Sequence, residues 1–271
     1  MQHKFITFIG GGNMAQAIIF GLLQQGYPAH KLMVCDPNPS RRDIFAARGI
    51  MVSDNNIEAA IRAEVVLLAV KPQMMEAVCL PLQAVDFSHK LLISIAAAIS
   101  LQRLHDLLPS AANIVRVMPN TPALVSAGMS GLFAAPSLAQ DLKDFAEALL
   151  AAVGKTCWLA QESDMHKITA ASGSSPAYFF AFMEAMQLML MDSGIDENMA
   201  RLLVQQSALG AAKMAEQNPQ ISLSLLRENV TSKGGTTAAA LAVFNRCGLD
   251  DMVKQAMAAC IARSQEMEKL F

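Results

Sequence analysis

FITFIGGGNMAQAI, residues 5–18, decides the fold. Its first five residues are apolar apart from one threonine, the pattern of a strand covered on both faces. Three glycines follow, and then a run whose apolar residues fall at helical spacing. Gly10, Gly12 and Ala15 stand in a G-x-G-x-x-A arrangement. Gly10 permits the tight turn, Gly12 lets a pyrophosphate approach the backbone, and Ala15 lets the helix pack close to the sheet. The start of the helix adds free N–H groups and the positive end of its dipole. Gly10, Gly11, Gly12, Asn13, Met14 and Ala15 are therefore the first candidate cofactor-binding set. The alternative is a tight strand–helix turn with no ligand. A motif placed straight after a strand and straight before a helix favours a dinucleotide.

Outward from this stretch, short apolar runs alternate with helical patterns. KLMVC (31–35), VVLLAV (65–70), LLISI (91–95) and IVRVM (114–118) read as further strands, with helices over 13–25, 39–48, 55–62, 73–84 and 100–107. Such alternation predicts an α/β fold, a Rossmann-like doubly wound parallel sheet. GMSGLFAA (128–135), a helix near 137–153 and TCWLA (156–160) extend it with edge strands. Beyond Leu159 only helical periodicity remains, broken near Gly173–Pro176, Gly194, Asn218–Pro219, Gly234–Gly235 and Gly248. The expected division is a dinucleotide-binding domain over 1–160 and an all-helical domain over 161–271. Several of the latter's helices are apolar on more than one side, and about 110 residues cannot bury them all alone. This half is expected to make a homodimer.

Composition agrees. The chain has 271 residues, of which 53% are hydrophobic, and a mean hydropathy of +0.33. No apolar run approaches the roughly 18 residues that cross a bilayer, so a subunit interface is the expected home for the excess. Eighteen methionines, many after residue 165, suit adaptable helix packing. The net charge of −2 and the absence of a basic block argue against nucleic acid and anionic membrane as partners. The start of the chain shows no cleavage pattern of a signal peptide. Five scattered cysteines without a CxxC pair predict reduced thiols and a cytoplasmic protein. No group of residues has metal-ligand spacing; His3, His30, His89, His105 and His166 read as structural or exposed.

Other candidates lie where the strands end. Asp36 follows the second strand, where an acidic residue holds the ribose 2′-OH of NAD. Ser40, Arg41 and Arg42 come next, and an arginine there accepts the 2′-phosphate of NADP; Asp36 equally suits a cap or the Asp-Pro-Asn-Pro turn. NAD and NADP thus both stand. Ala69, Val70, Lys71 and Pro72 close the third predicted strand, with Lys71 read either as a phosphate or ribose contact or as a solvated lysine. RVMPNTP (116–122) places Asn120 at the cofactor edge, on the nicotinamide side or simply in a rigid loop.

Five blocks taken together resemble the pyrroline-5-carboxylate reductase family: FIGGGNMA (8–15), LAVKPQ (68–73), RVMPNTP (116–122), SGSSPAY (172–178) and VTSKGGTT (230–237). The resemblance covers essentially the whole chain, and the last block is the most specific. It implies a Rossmann domain, a helical domain that interlocks with its mate, and dimers often assembled into rings. It places Asn56 near the cofactor ribose, although Asn55 or Asn56 equally suits an N-cap, and adds Ala96 to the cofactor edge. Three positions depart from the family's usual pattern: Ser175 replaces a glycine, Ala98 stands where AAG is frequent, and Lys233 stands where many relatives have proline.

The implied substrate is a small cyclic imine with one carboxylate, 1-pyrroline-5-carboxylate, reduced to L-proline with NADPH or NADH. VTSKGGTT, at a helix start, offers what that substrate needs: glycine backbone for close approach and hydroxyls as compact donors. By resemblance the turn with Gly234 binds the substrate, with Ser232 and the backbone at Gly235 and Thr236 holding the carboxylate. Thr237 reaches the imine nitrogen, a catalytic role of orientation first. A Gly C-cap followed by a Thr N-cap is the plainer reading, but one glycine and one hydroxyl suffice for that. If the helical halves exchange between subunits, one subunit's cofactor meets its mate's substrate loop. A reductase of a related cyclic imino acid or small hydroxy acid, and a non-catalytic dinucleotide sensor, are the alternatives.

Overall fold

The structure, a computed structural model, describes residues 3–271. Eight strands form one sheet: β1 (Ile6–Ile9), β2 (Leu32–Cys35), β3 (Met51–Ser53), β4 (Val65–Leu68), β5 (Leu91–Ser94), β6 (Asn113–Met118), β7 (Gly128–Ala134) and β8 (Gly154–Trp158). Their order is β3-β2-β1-β4-β5-β6-β7-β8. All neighbours are parallel except β6 and β7. The order reverses between β1 and β4, where Ile6 pairs with Val65 and Ile9 with Leu68. Ligands bind beyond the carboxyl ends of strands at such a switch point.

The near-continuous apolar strands are buried on both faces because helices cover both. α1 (Asn13–Gln24), α2 (Pro39–Ala46) and α6 (Gln140–Ala151) lie on the side of Phe8, Val34, Leu67 and Ile93. α3 (Asn56–Arg62), α4 (Met75–Leu82) and α5 (Leu101–Leu107) cover Ile9, Cys35, Val66 and Leu92. Alternate residues of each strand serve opposite cores, as a period of two requires. Thr7, wholly buried, satisfies its hydroxyl by donating to the Ala59 carbonyl at 2.9 Å. β3 has no counterpart among the predicted strands. Its three residues, MVS, are too few to show a period, and pairing with β2 makes the strand.

The chain divides into two compact units, one running through Ser174 and taking in Ala259–Phe271, the other Ser175–Ala258. In the first, β8 leads to α7 (Met165–Ile168) and a wide π-type turn over Thr169–Gly173. The second is helical: α8 (Ser175–Asp192), α9 (Glu197–Gln217), α10 (Leu223–Asn229), α11 (Thr236–Arg246) and the first part of α12 (Leu249–Glu268). Asp196 caps α9 and Ser222 caps α10 through backbone N–H groups. Within this unit Ala200 and Val204 are buried, whereas Phe179 and Phe180 are 65% and 63% exposed. Leu202, Met214 and Leu223 are exposed too. No described helix is long and apolar enough to cross a membrane.

The last turns of α12 belong to the sheet unit through a buried polar cluster. Arg116 on β6, 4% exposed, pairs with Glu162 at 2.8 Å and with Glu268 at 2.7 Å. Glu268 also faces His166 Nε2 at 3.2 Å, and His166 Nδ1 shares a hydrogen bond with Ser264 Oγ at 2.9 Å. Glu162 accepts the Leu101 N–H at the start of α5 as well, at 2.7 Å.

Candidate active site

The cofactor candidates gather along one edge of the sheet unit. Gly10 follows β1, Asp36 follows β2, Asn56 opens the helix after β3, Ala69 follows β4, Ala96 follows β5 and Asn120 follows β6. Gly10 has φ +102, and a Cβ there would lie 2.7 Å from the Ala69 carbonyl oxygen. Only glycine fits where these two strand ends cross. Gly11 is enclosed too, with Phe45, Val34 and Asp36 around the place of a Cβ. Gly12 differs: a Cβ would meet nothing within 4 Å, and its φ is an ordinary −71. The turn is thus braced behind Gly10 and Gly11 and open at Gly12.

The N–H groups sort in the same way. Gly10 donates to the Cys35 carbonyl at 2.8 Å, and Gly11 to Asp36 Oδ2 at 2.8 Å. α1 has no side-chain cap at Gly12, so the N–H groups of Asn13, Met14 and Ala15 lack intrahelical acceptors. Ala15 is fully buried against the sheet. An open, uncapped helix start behind a braced turn fits a pyrophosphate, with its charge on the positive end of the dipole.

Around this turn the other candidates take different parts. Asp36 Oδ1 accepts the Asn38 N–H at 2.9 Å, so both carboxylate oxygens serve local backbone. Arg41, half-buried, reaches across the mouth of the turn to Asn13 Oδ1 at 3.2 Å. Arg42 turns inward, donating to the Asp36 and Pro37 carbonyls at 2.7 and 3.1 Å. Asn38 caps α2 through the Ser40 N–H at 3.0 Å. Asn38 was absent from the sequence candidates, although an Asn-Pro-Ser start is a readable cap with proline at the first helical position. Asn55 takes the cap of α3 from Ile57 and Glu58, leaving Asn56 half-buried at the first helical position. Val70 packs against the core of the second face, Lys71 is exposed, and Pro72 opens a short 3₁₀ turn.

Asn120 is mostly buried and committed at both ends of its amide. Nδ2 donates to the Ser172 carbonyl at 3.0 Å, and Oδ1 accepts the Met129 N–H at 2.8 Å. That geometry favours the rigid-loop reading. Ala96 is buried. Ala98, two residues on, sits at φ +60, a conformation glycine adopts without strain and alanine does not. Cys35, under the turn, has its thiol pushed up to about 11 by burial and then by the charges of Asp54 and Asp36, so it stays protonated at neutral pH.

The substrate candidates lie in the helical unit, together in one turn. The Gly235 N–H donates to the Ser232 carbonyl at 3.0 Å, with Gly234 at φ +70 inside the turn. A Cβ at Gly235 would stand 2.3 Å from Ser232 Oγ, so a side chain there would push the serine hydroxyl out of its present place. α11 starts at Thr236 without a side-chain cap, and the N–H groups of Thr236, Thr237 and Ala238 lack intrahelical acceptors. The hydroxyls of Ser232, Thr236 and Thr237 make no hydrogen bond among the described residues. Lys233 is exposed in the same turn. The arrangement presents backbone and hydroxyl donors around an electropositive helix end, chemistry that suits one carboxylate.

Known proteins resemble the chain over both halves. Residues 162–267 match a family model described as pyrroline-5-carboxylate reductase dimerisation, and residues 5–98 match one described as NADP oxidoreductase, coenzyme F420-dependent. The chain is 65% identical to a pyrroline-5-carboxylate reductase of Haemophilus influenzae over 271 residues, all of both chains. The chain belongs to the pyrroline-5-carboxylate reductase family. Among solved members, the Coxiella burnetii reductase superposes with a TM-score of 0.92 at 39% identity, covering 98% of this chain and 99% of that one. The Plasmodium falciparum reductase, solved with NADP bound, gives 0.86 at 26% identity over 99% of each. Against the family pattern, Ser175 is the first residue of α8, Lys233 lies within the Ser232–Gly235 turn, and Ala98 carries backbone strain in the segment after β5.

Proposed function

We propose that the chain reduces 1-pyrroline-5-carboxylate to L-proline with NADPH as the preferred donor. The observation that carries this reading is the uncapped start of α11, ringed by three unpartnered hydroxyls, in a chain that also carries an open dinucleotide turn at Gly12. When bound, the nicotinamide supplies the hydride. The N–H groups at the start of α11 and Ser232 hold the carboxylate, which fixes the ring. Thr237 hydrogen-bonds the imine nitrogen through its hydroxyl, donating to the neutral imine or accepting from its protonated form, and aims the C=N carbon. The carbon gains the hydride and the nitrogen gains a proton, which arrives with a protonated imine or through water, because a threonine hydroxyl is too weak an acid to give it up. Alignment of this kind contributes about 7–11 kcal/mol when the reacting atoms are held in near-attack geometry.

The preference for NADPH follows from the second strand. Arg41 lies half-buried at the mouth of the turn, where a guanidinium suits a 2′-phosphate, while the Asp36 carboxylate is turned to the backbone. The assembly proposed is a homodimer through the helical unit, with rings of dimers above it and the cytoplasm as its compartment, where five unpaired cysteines are at home.

Steady-state oxidation of NADPH in the presence of the cyclic imine tests the reading. Thr237→Val is expected to lower kcat about 10²-fold with cofactor affinity unchanged. Arg41→Ala is expected to raise the KM for NADPH about tenfold, on the scale of one charge-assisted contact, and to leave NADH alone. No oxidation with this imine, but oxidation with a six-membered analogue, would move the assignment to a neighbouring imino acid.

A further inference from the structure

An acidic residue at the end of the second strand of such a sheet invites one assignment, a grip on the ribose 2′-hydroxyl. In this molecule its two oxygens have other work. Asp36 Oδ2 accepts the Gly11 N–H at 2.8 Å, and Oδ1 accepts the Asn38 N–H at 2.9 Å. The backbone around it is held as well. The Asp36 N–H donates to the Ser53 carbonyl at 3.1 Å, and Arg42 holds the Asp36 and Pro37 carbonyls. The place is closed to a side chain as well, because Phe45 Cε2 and Val34 Cγ1 lie 3.0 and 3.2 Å from where a Cβ at Gly11 would be.

We infer that Asp36 is a positioning residue for the cofactor and not a reader of its 2′ group. Its carboxylate braces Gly11 from behind, and the brace sets where the N–H groups of Gly12 and Asn13 point. A carboxylate accepting a backbone N–H is a charge-assisted bond, stronger than a neutral one. It holds a turn that carries Gly10 at φ +102. Pyrophosphate is common to NADH and NADPH, so the brace serves both equally, and discrimination between them falls to residues such as Arg41. The inference rests on the proposal above that a nicotinamide dinucleotide lies on this turn.

Fluorescence titration of the full-length protein with NADH and with NADPH, without imine, tests it. For Asp36→Ala both Kd values are expected to rise about tenfold or more, the scale of a lost hydrogen bond to a charged group. Their ratio is expected to stay within about twofold of the wild-type ratio. Asp36→Asn keeps one acceptor oxygen and is expected to recover part of the affinity at the same ratio. Thermal melting reports whether each variant folds, and if the alanine variant does not, the asparagine variant carries the comparison. A loss confined to NADH, or unchanged affinity for both, overturns the inference. Wild-type protein that binds neither dinucleotide overturns the reading beneath it and the inference with it, a failure seen before any variant is compared.

Discussion

Two glycines two residues apart have opposite needs. Gly10 lies in the left-handed half of backbone space with the Ala69 carbonyl 2.7 Å from the place of a Cβ. Gly12 has a permissive φ of −71 and empty space. Gly10→Ala therefore forces the β1 and β4 ends apart and is expected to cost about 3 kcal/mol or more of stability, from strain and overpacking together. Gly12→Ala is expected to melt within about 4 °C of the wild type, since a compatible Gly→Ala change alters stability by less than about 1 kcal/mol. On the proposed reading its methyl occupies the approach of the pyrophosphate, so it is expected to weaken dinucleotide binding at least about tenfold. Calorimetric melting and cofactor titration on the same two proteins check both halves. Equal loss of stability in the two variants would remove the distinction. The motif itself predicted the tight turn at Gly10 and the open backbone at Gly12. It did not assign Gly11, whose closed pocket is made by Val34, Asp36 and Phe45, brought in from β2 and α2.

At the scale of elements, the strands were readable because burial on both faces leaves no polar alternation, and the helices because their apolar residues recur at helical spacing. Asn38 before Pro39, Ser100, Asp196 and Ser222 each cap a helix from the residue next to it. β3 was not readable, since a three-residue edge strand is defined by its partner. The attachment of the end of α12 to the sheet unit was not readable either. The residues that hold it, Arg116, Glu162, His166, Ser264 and Glu268, are far apart in sequence and show no spacing. This cluster predicts a sharp asymmetry. Arg116→Met leaves two carboxylates facing each other without their cation and is expected to cost about 3 kcal/mol, the low end for breaking a buried pair because both glutamates keep some water contact. Lys167→Met breaks an exposed pair with Asp164 and is expected to cost less than about 1 kcal/mol. Urea unfolding of the two variants checks this, and equal midpoints would show that the cluster does not hold the helix.

For the whole molecule the decisive feature is apolar surface. Phe179, Phe180, Leu202, Met214 and Leu223 are exposed on the helical unit, and each is worth roughly 1.5–3 kcal/mol if fully buried. A unit with Ala200 and Val204 as its buried apolar residues lacks a core of its own and acquires one only by association. Closed twofold pairing satisfies such a surface with no patch left over. If the helical halves exchange in such a pairing, as proposed, the substrate turn of one subunit serves the dinucleotide turn of its mate. Mixing Gly12→Ala, defective in the cofactor turn, with Thr237→Val, defective in the substrate turn, decides whether catalysis uses that arrangement. When sites are shared between subunits, a mixed dimer holds one doubly altered site and one intact site. Random exchange makes half of the dimers mixed, so about a quarter of wild-type activity is expected to return. When each site belongs to one subunit, every site keeps one defect and the mixture stays as inactive as its components. Exchange must be shown independently, by mass spectrometry of isotopically labelled subunits, because silence without exchange would say nothing about the site.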